Sequence, residues 1–384
     1  MALLHAHIQA RRRKVKMHRR TFVKLGAAAA AGLFVPGCCG TSKLIGGEPD
    51  VGDQGAGGEQ TRICEELFTY VEPDRPSFTC AHARTIHVLR GPKKTVMIDT
   101  GEFTDVFEKS VVPQMKRDGL NPFDICEIWN THSHPDHVGA DGFLQAATGA
   151  FIYAHPAAVR LLCDPKNNEK DMVDSLGEDC DVVTGFSAGL LRAFSGLFLK
   201  KQKLTVAGTF SDGQVLDPGF PVEVKFAPGH SPDSVAFWVP SKRILIAGDA
   251  LLQEHKGHPI INTPLSNVTD MRETLEWMLG KHPAVMANGH YGTIVGEDRC
   301  DAVLRHSLQF LDDMNATALA LLKSGPVSLH DLMRRYPFKE HSQWKIEARI
   351  AYWCLMKNLA QQGIAVRCPE YEGKKVVDLK WRAA

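Results

Sequence analysis

The chain has 384 residues, 44% of them hydrophobic, enough to bury a large core and carry an appendage. Its 45 Lys and Arg are matched by 44 Asp and Glu, and this balance gives no sign of a nucleic-acid binder. Of its 10 cysteines, those beyond Cys38 and Cys39 are scattered singly with no Cys-x-x-Cys pair, which argues against a structural zinc knuckle.

The even charge hides a basic N-terminus, Arg11-Arg12-Arg13-Lys14 and then His18-Arg19-Arg20-Thr21-Phe22-Val23-Lys24. The Gly/Ala-rich apolar stretch from Leu25 to Val35 is too short to span a bilayer and reads as the core of an export signal over residues 1–39. The run from Arg19 to Lys24 resembles a bacterial twin-arginine signal, which implies export to the periplasm. An amphipathic basic helix on the folded domain is the alternative, and Met17 is a second candidate start. Val35-Pro36-Gly37-Cys38 loosely resembles a lipoprotein box, so Cys38 is a candidate membrane tether, with the proline as a departure from that pattern. Residues 40–62 are Gly-rich and polar without hydrophobic period, and read as a flexible linker.

Next, residues 84–90 and 95–100 around Gly91-Pro92 predict a β-hairpin. Residues 105–116 have helical spacing, with Pro113 as a candidate break. Residues 126–130 read as a short buried strand, in which Cys126 is expected to be a small apolar side chain. The run His132-Ser133-His134-Pro135-Asp136-His137 packs three imidazoles and a carboxylate together, a density that a metal site explains and a surface loop does not need. A helix and the strand 150–153 follow. Residues 164–203 read as an insertion whose second part, 186–198, is an apolar helix. Three roles stay open for it: packing on the domain or in a homodimer, a lid over a pocket, or a membrane-surface helix.

Three further polar residues each follow an apolar strand: His230 in Ala227-Pro228-Gly229-His230, Asp249 after Ile244 to Gly248, and His290 after Val285 to Gly289. Together with Asp99 in Ile98-Asp99-Thr100-Gly101, these residues resemble the metallo-β-lactamase superfamily over about residues 80–295. The resemblance implies an α+β chain whose residues 63–297 form a four-layer αβ/βα sandwich. It implies His132, His134 and His230 at a first metal, Asp136, His137 and His290 at a second, and Asp249 between them. Two zinc ions are the expected cofactor, with iron or manganese open because the same ligands serve all three. Asp136 is also the candidate catalytic residue. Such a site acidifies water to a pKa of about 7 for attack on a carbonyl or phosphoryl centre. Asp99 is expected to orient a ligand histidine or hold the loop, with Asn130 and Thr131 shaping it. Ser231 and Asp233 either bond to ligands or close their turn, Tyr291 is near enough in sequence to His290 to reach the pocket, and His155 reads as a strand-end residue. His255 and His258 are candidates for substrate contact.

Asp249 stands where zinc β-lactamases have cysteine or serine. Its presence resembles the glyoxalase II, lactonase, sulfatase and phosphodiesterase branches instead. The expected function is therefore hydrolysis of an ester-like small molecule, a thioester or lactone. Phosphodiester hydrolysis, a single-iron persulfide dioxygenase and a non-catalytic metal-binding surface protein remain the alternatives. From residue 298 the pattern becomes three helices, with Ser328 as a helix cap, and two short strands around Glu372-Gly373. This part resembles a winged-helix tail, expected to pack or dimerise rather than bind nucleic acid.

Overall fold

Strand side chains alternate between two faces, and that alternation sorts the apolar residues of this chain into layers. The computed structural model describes residues 62–73, 83–198, 204–251, 261, 263–290, 292–335, 345–372 and 375–384. All of them belong to one unit, Pro49–Ala384. The expected signal, Cys38 and nearly all of the expected linker lie outside the described residues.

The first sheet runs in chain order: β1 (Leu67–Val71), β2 (Thr85–Arg90), β3 (Thr95–Ile98), β4 (Ile125–Trp129), β5 (Phe151–Ala154) and β6 (Val206–Thr209). The predicted hairpin is the antiparallel pair β2–β3. From β3 onward the pairs are parallel, and the connections carry helices. Helix α1 occupies residues 104–117, as its spacing predicts. Pro113 does not break it: a π-turn over Phe107–Val111 comes first, so Pro113 sits in the opening turn of the following α-segment, where its missing N–H costs least. The loop after β4 enters α2 (Pro135–Val138), followed by α3 (Asp141–Thr148). Between β5 and β6 lie α4 (Val159–Cys163), α5 (Lys166–Leu176), α6 (Cys180–Thr184) and α7 (Ala188–Phe198).

The second sheet comprises β7 (Val215–Leu216), β8 (Val222–Phe226), β9 (Val235–Val239), β10 (Ile244–Gly248), β11 (Val285–Asn288) and β12 (Thr293–Val295), in the order β12-β11-β10-β9-β8-β7. Its one parallel pair, β10–β11, is joined through helix α8 (Val268–Lys281).

On β9, Val235, Phe237 and Val239 face the inter-sheet core, where they meet Leu89, Val96, Ile98 and Trp129 of the first sheet. The alternate residues Ala236 and Trp238 face outward onto α8 and its neighbours. On the other side, Val88, Met97, Ile128 and Ile152 pack against Phe107 and Met115 of α1 and Leu144 of α3. Helix, sheet, sheet and helix therefore stack as the four-layer sandwich that the resemblance implied.

The remainder comprises α9 (Glu297–Ser324), β13 (Val327–Ser328), α10 (Leu329–Met333), α11 (Lys345–Gln361), β14 (Ala365–Arg367), β15 (Glu370–Glu372), β16 (Lys375–Asp378) and β17 (Lys380–Ala383). Ser328 caps α10 as predicted, within a capping box that Asp331 completes. Strands β13, β17 and β14 form a small sheet, and β15–β16 a hairpin. Every residue from 350 to 356 of α11 is buried, so this helix is core on all sides. It shares one apolar cluster with α5, α6, α8, α9 and the outer face of the second sheet.

Cys126 is exposed, against expectation, although Ile125 beside it at the start of β4 is buried: the two successive side chains leave the strand toward different surroundings. Cys64, Cys163, Cys180, Cys300, Cys354 and Cys368 are likewise unpaired thiols. No helix among the described residues is long and apolar enough to cross a membrane.

Candidate metal centre

Four strands of the sandwich, β4, β8, β10 and β11, each end in a turn that delivers part of one cluster. β3 helps by ending in Asp99, a residue at φ 56°, a conformation that short polar side chains tolerate. Asp99 Oδ1 accepts the Thr131 N–H at 2.8 Å, and its Oδ2 accepts the Thr131 hydroxyl at 2.7 Å. The same Oδ2 lies 2.9 Å from His137 Nδ1. One carboxylate thus pins the loop at both ends and fixes the ring of His137, the two roles expected of it. That contact leaves His137 Nε2 facing inward.

The other turns are as tightly held. The carbonyl of His230 accepts hydrogen bonds from the hydroxyls of Thr263 (3.4 Å) and Ser266 (3.2 Å). Gly248, the last residue of β10, takes φ 53° directly before Asp249. Gly289 precedes His290 and lies against the cluster itself: a Cβ there would fall 2.0 Å from Asp249 Oδ1 and 2.8 Å from His137 Cε1. His290 Nδ1 is 3.1 Å from the carbonyl oxygen of Ala83, which turns its Nε2 inward.

The seven predicted ligands therefore meet, and all are buried. His132, His134 and His230 form one triplet and Asp136, His137 and His290 another; in each, the offered atoms lie within 4.8 Å of one another. His132, His137 and Asp249 form a third triplet that overlaps the first two. Asp249 stands between them, with Oδ2 3.1 Å from His290 Nε2 and 3.6 Å from His230 Nε2, and Oδ1 3.4 Å from His137 Nε2. His137 Nε2 and His290 Nε2 are 3.3 Å apart, and His134 Nδ1 and His230 Nε2 2.8 Å. Metal–nitrogen bonds of 2.0–2.1 Å at tetrahedral angles space ligand atoms by about 3.3 Å, so these separations suit shared cations. His132 Nε2 is buried without a protein partner, an orphan that a cation would satisfy.

Charge supports the same reading. Burial drives the pKa of His132 well below its ordinary value and that of His230 down to about 3, while His134 is also lowered by burial. These three imidazoles are neutral at pH 7 and keep their lone pairs. Burial also disfavours charge on His137, but the carboxylates of Asp249 and Asp136 outweigh it and hold that pKa well above the ordinary value. For Asp136 and Asp249, burial opposes ionisation and the facing histidines overcome it, so both pKa values are lowered. The site concentrates negative charge and draws positive charge to itself. Five neutral-capable imidazoles and two carboxylates can hold two divalent cations.

Other predicted residues take quieter roles. Ser231 donates to Asp233 Oδ1 at 2.7 Å and lies 2.9 Å from Ser234 Oγ, so this group closes the turn after His230. Asn130 donates to Asp141 at 2.7 Å, and Thr100 donates to the same carboxylate at 2.9 Å. Burial raises the Asp141 pKa to about 7. His155 caps the turn Pro156–Ala158 by accepting from the Ala157 N–H, as a strand-end residue would. His87 is buried between Thr69 and the carbonyl of Asn288, joining the two sheets. Tyr291, His255 and His258 lie outside the described residues. Sequence reasoning missed Asn168, whose amide reaches the carbonyl of Ser133, and the contact made by Gly289. A glycine directly before a ligand histidine is the one signal that would have pointed to the latter.

Comparison with known proteins agrees with this geometry. Residues 82–290 match the family model described as "Metallo-beta-lactamase superfamily". The chain is 29% identical over 139 residues to a probable metallo-hydrolase of Bacillus subtilis, a match covering 36% of this chain and 54% of that protein. It thus spans about half the length of that relative. It is 26% identical over 242 residues to a linear primary-alkylsulfatase of a Pseudomonas species, covering 57% of this chain and 43% of that protein. Among solved structures, a metallo-beta-lactamase family protein from Thermus thermophilus superposes with a TM-score of 0.61 at 20% identity, over 84% of this chain and all of that one. A beta-lactamase domain protein from Burkholderia ambifaria gives 0.65 at 16% identity, over 88% and 97% of the two chains. At such identities the structural matches establish the shared fold.

Proposed function

Because the chain belongs to the metallo-β-lactamase superfamily, as one of its hydrolases, we propose that it uses two zinc ions to hydrolyse an ester-like small molecule, a thioester or lactone. The observation that carries this reading is Asp249, buried within 3.6 Å of ligand nitrogens from both triplets. A carboxylate so placed joins two cation sites into one centre, as a merely structural zinc site does not require. His132, His134, His230 and Asp249 would hold one cation; Asp136, His137, His290 and Asp249 the other. Bound zinc supplies Lewis acidity and brings the pKa of water to about 7.

The protein's own residues do the rest. Burial keeps the first three imidazoles neutral, so they coordinate at pH 7 without first losing a proton. Asp99 fixes the His137 ring, so that one nitrogen is committed to the carboxylate and the other to the site. Asp136, ionised and close to His137 and His290, is the candidate both to coordinate and to accept a proton from the attacking water.

Small substrates suit the chain better than nucleic acid, because α11, the last helix of the C-terminal region, is buried throughout its middle and offers no face to a duplex. The region as a whole, three helices with a small sheet and a hairpin, is consistent with a winged-helix-like tail used for packing. Export by the basic N-terminal signal, with Cys38 as a membrane tether, and homodimerisation complete the proposal.

The test starts from residues 61–384 and measures metal identity and stoichiometry by elemental mass spectrometry. Two zincs per chain, lost together in Asp249→Ala, support the reading. Turnover is then sought with thioesters, lactones and phosphodiesters, and with a sulfate ester because of the name borne by the Pseudomonas relative. One iron per chain, with oxygen uptake on a persulfide, would replace the hydrolase by an oxygenase.

A further inference from the structure

The insertion that carries α5 touches the metal-bearing turns, and it does so through one face of one helix. Asn168, 1% exposed, donates from Nδ2 to the carbonyl of Ser133 at 3.2 Å. Ser133 is the residue between His132 and His134. Seven positions on, two helical turns along the same face, Ser175 donates from Oγ to the carbonyl of Pro264 at 3.0 Å. Pro264 belongs to the loop whose Thr263 and Ser266 hydroxyls hold the carbonyl of His230. The same Ser175 hydroxyl accepts from Lys357 Nζ of α11 at 2.9 Å. Between these two polar contacts, Val173 enters the apolar cluster that α11 fills, and Leu176 joins it just after.

One face of α5 therefore reaches the segment that supplies His132 and His134 directly, at Ser133, and the turn that supplies His230 at one remove, through the 263–266 loop. The second triplet is held from elsewhere, His137 by Asp99 and His290 by the Ala83 carbonyl. Asn168 is also a poor choice for stability alone, since its Oδ1 is buried without a partner. An unpaired buried amide oxygen costs free energy, so the gain must lie in what the donor end does.

We propose that Asn168 and Ser175 are positioning residues: the insertion is a brace that sets the geometry of the first metal triplet, and the C-terminal helix α11 steadies the brace through Lys357. The proposal rests on the two-cation reading above. Removal of an outer partner of a metal ligand lowers affinity by about 10- to 100-fold, and here the loss should fall on one site of the two.

The experiment is a zinc titration of metal-free protein against a competing chelator. It is run in a His290→Ala background, which reports the first triplet, and in a His134→Ala background, which reports the second. Asn168→Asp, equal in size but lacking the Nδ2 donor, should weaken zinc by about 10- to 100-fold in the first background and leave the second unchanged. The melting temperature of the metal-free protein should fall by the same amount in both backgrounds, because a carboxyl buried against a carbonyl is costly, so the difference in zinc affinity between the backgrounds carries the test. Ser175→Ala should act in the same direction and stands in for Asn168→Asp if that variant does not fold. Unchanged affinity in both backgrounds with a lower melting temperature would make these residues structural and overturn the brace. Equal losses at both sites would also overturn it. If the unsubstituted protein does not bind two zincs, the underlying reading fails first, and the two failures are thereby told apart.

Discussion

Gly289 has no room for a side chain, because the carboxylate of Asp249 and the ring of His137 occupy the space where a Cβ would stand. The first methyl group added there must displace Asp249, the residue common to both halves of the site. Gly289→Ala is therefore expected to fold yet bind zinc about 10-fold more weakly or worse at both sites, with far-ultraviolet circular dichroism unchanged. Retention of full zinc affinity would mean that the Asp249 position is not set by this contact. At this scale the run from His132 to His137 was legible as a candidate metal site from its density of imidazoles and carboxylate, and His230, Asp249 and His290 as further candidates through the family resemblance. Their supports were not. Asn168 is 35 residues from its partner Ser133, and Ser175 is 89 from Pro264. An asparagine or serine in a helix looks the same in sequence whether or not a carbonyl awaits it.

Elements were legible where local physics decides them. The hairpin β2–β3, helix α1 and the cap of α10 follow from period, turn residues and a Ser-x-x-Asp box. Ser328 accepts from the Asp331 N–H at 3.1 Å while Asp331 accepts from the Ser328 N–H at 3.1 Å. Ser328→Ala is expected to cost about 1 kcal/mol, read as a small fall in the urea midpoint with zinc affinity unaltered. A change in zinc affinity would show that α10 is coupled to the metal centre. Pro113 shows the limit of local reading: proline forbids one hydrogen bond, but a π-turn upstream lets the helix continue. Cys126 shows another, because successive side chains of a short strand meet different surroundings, and here Ile125 is covered while Cys126 is not.

Across the whole molecule, the apolar cluster outside the second sheet does not stop where the sandwich ends. It takes in Val173 and Leu176 of the insertion, Leu275 of α8, Leu304 of α9, and Trp353 and Trp381 of the C-terminal region. A region that shares its core cannot unfold alone without exposing its neighbour's. Calorimetry of residues 61–384 is expected to show one cooperative transition that includes the C-terminal helices. Two resolved transitions would make that region an independent domain.

What the sequence determined by itself was the order of the histidines and aspartates along the chain and, through side-chain period, the strands and turns that carry them; the reading of all seven as metal ligands came from the family resemblance. What only the tertiary structure decided was which distant groups meet. The meeting of Asp249 with both triplets, the Asp99 clasp on His137, the reach of α5 to Ser133 and the burial of α11 all depend on how two sheets and their covering helices close on one another. Those contacts join residues tens to hundreds of positions apart, and no local propensity encodes them.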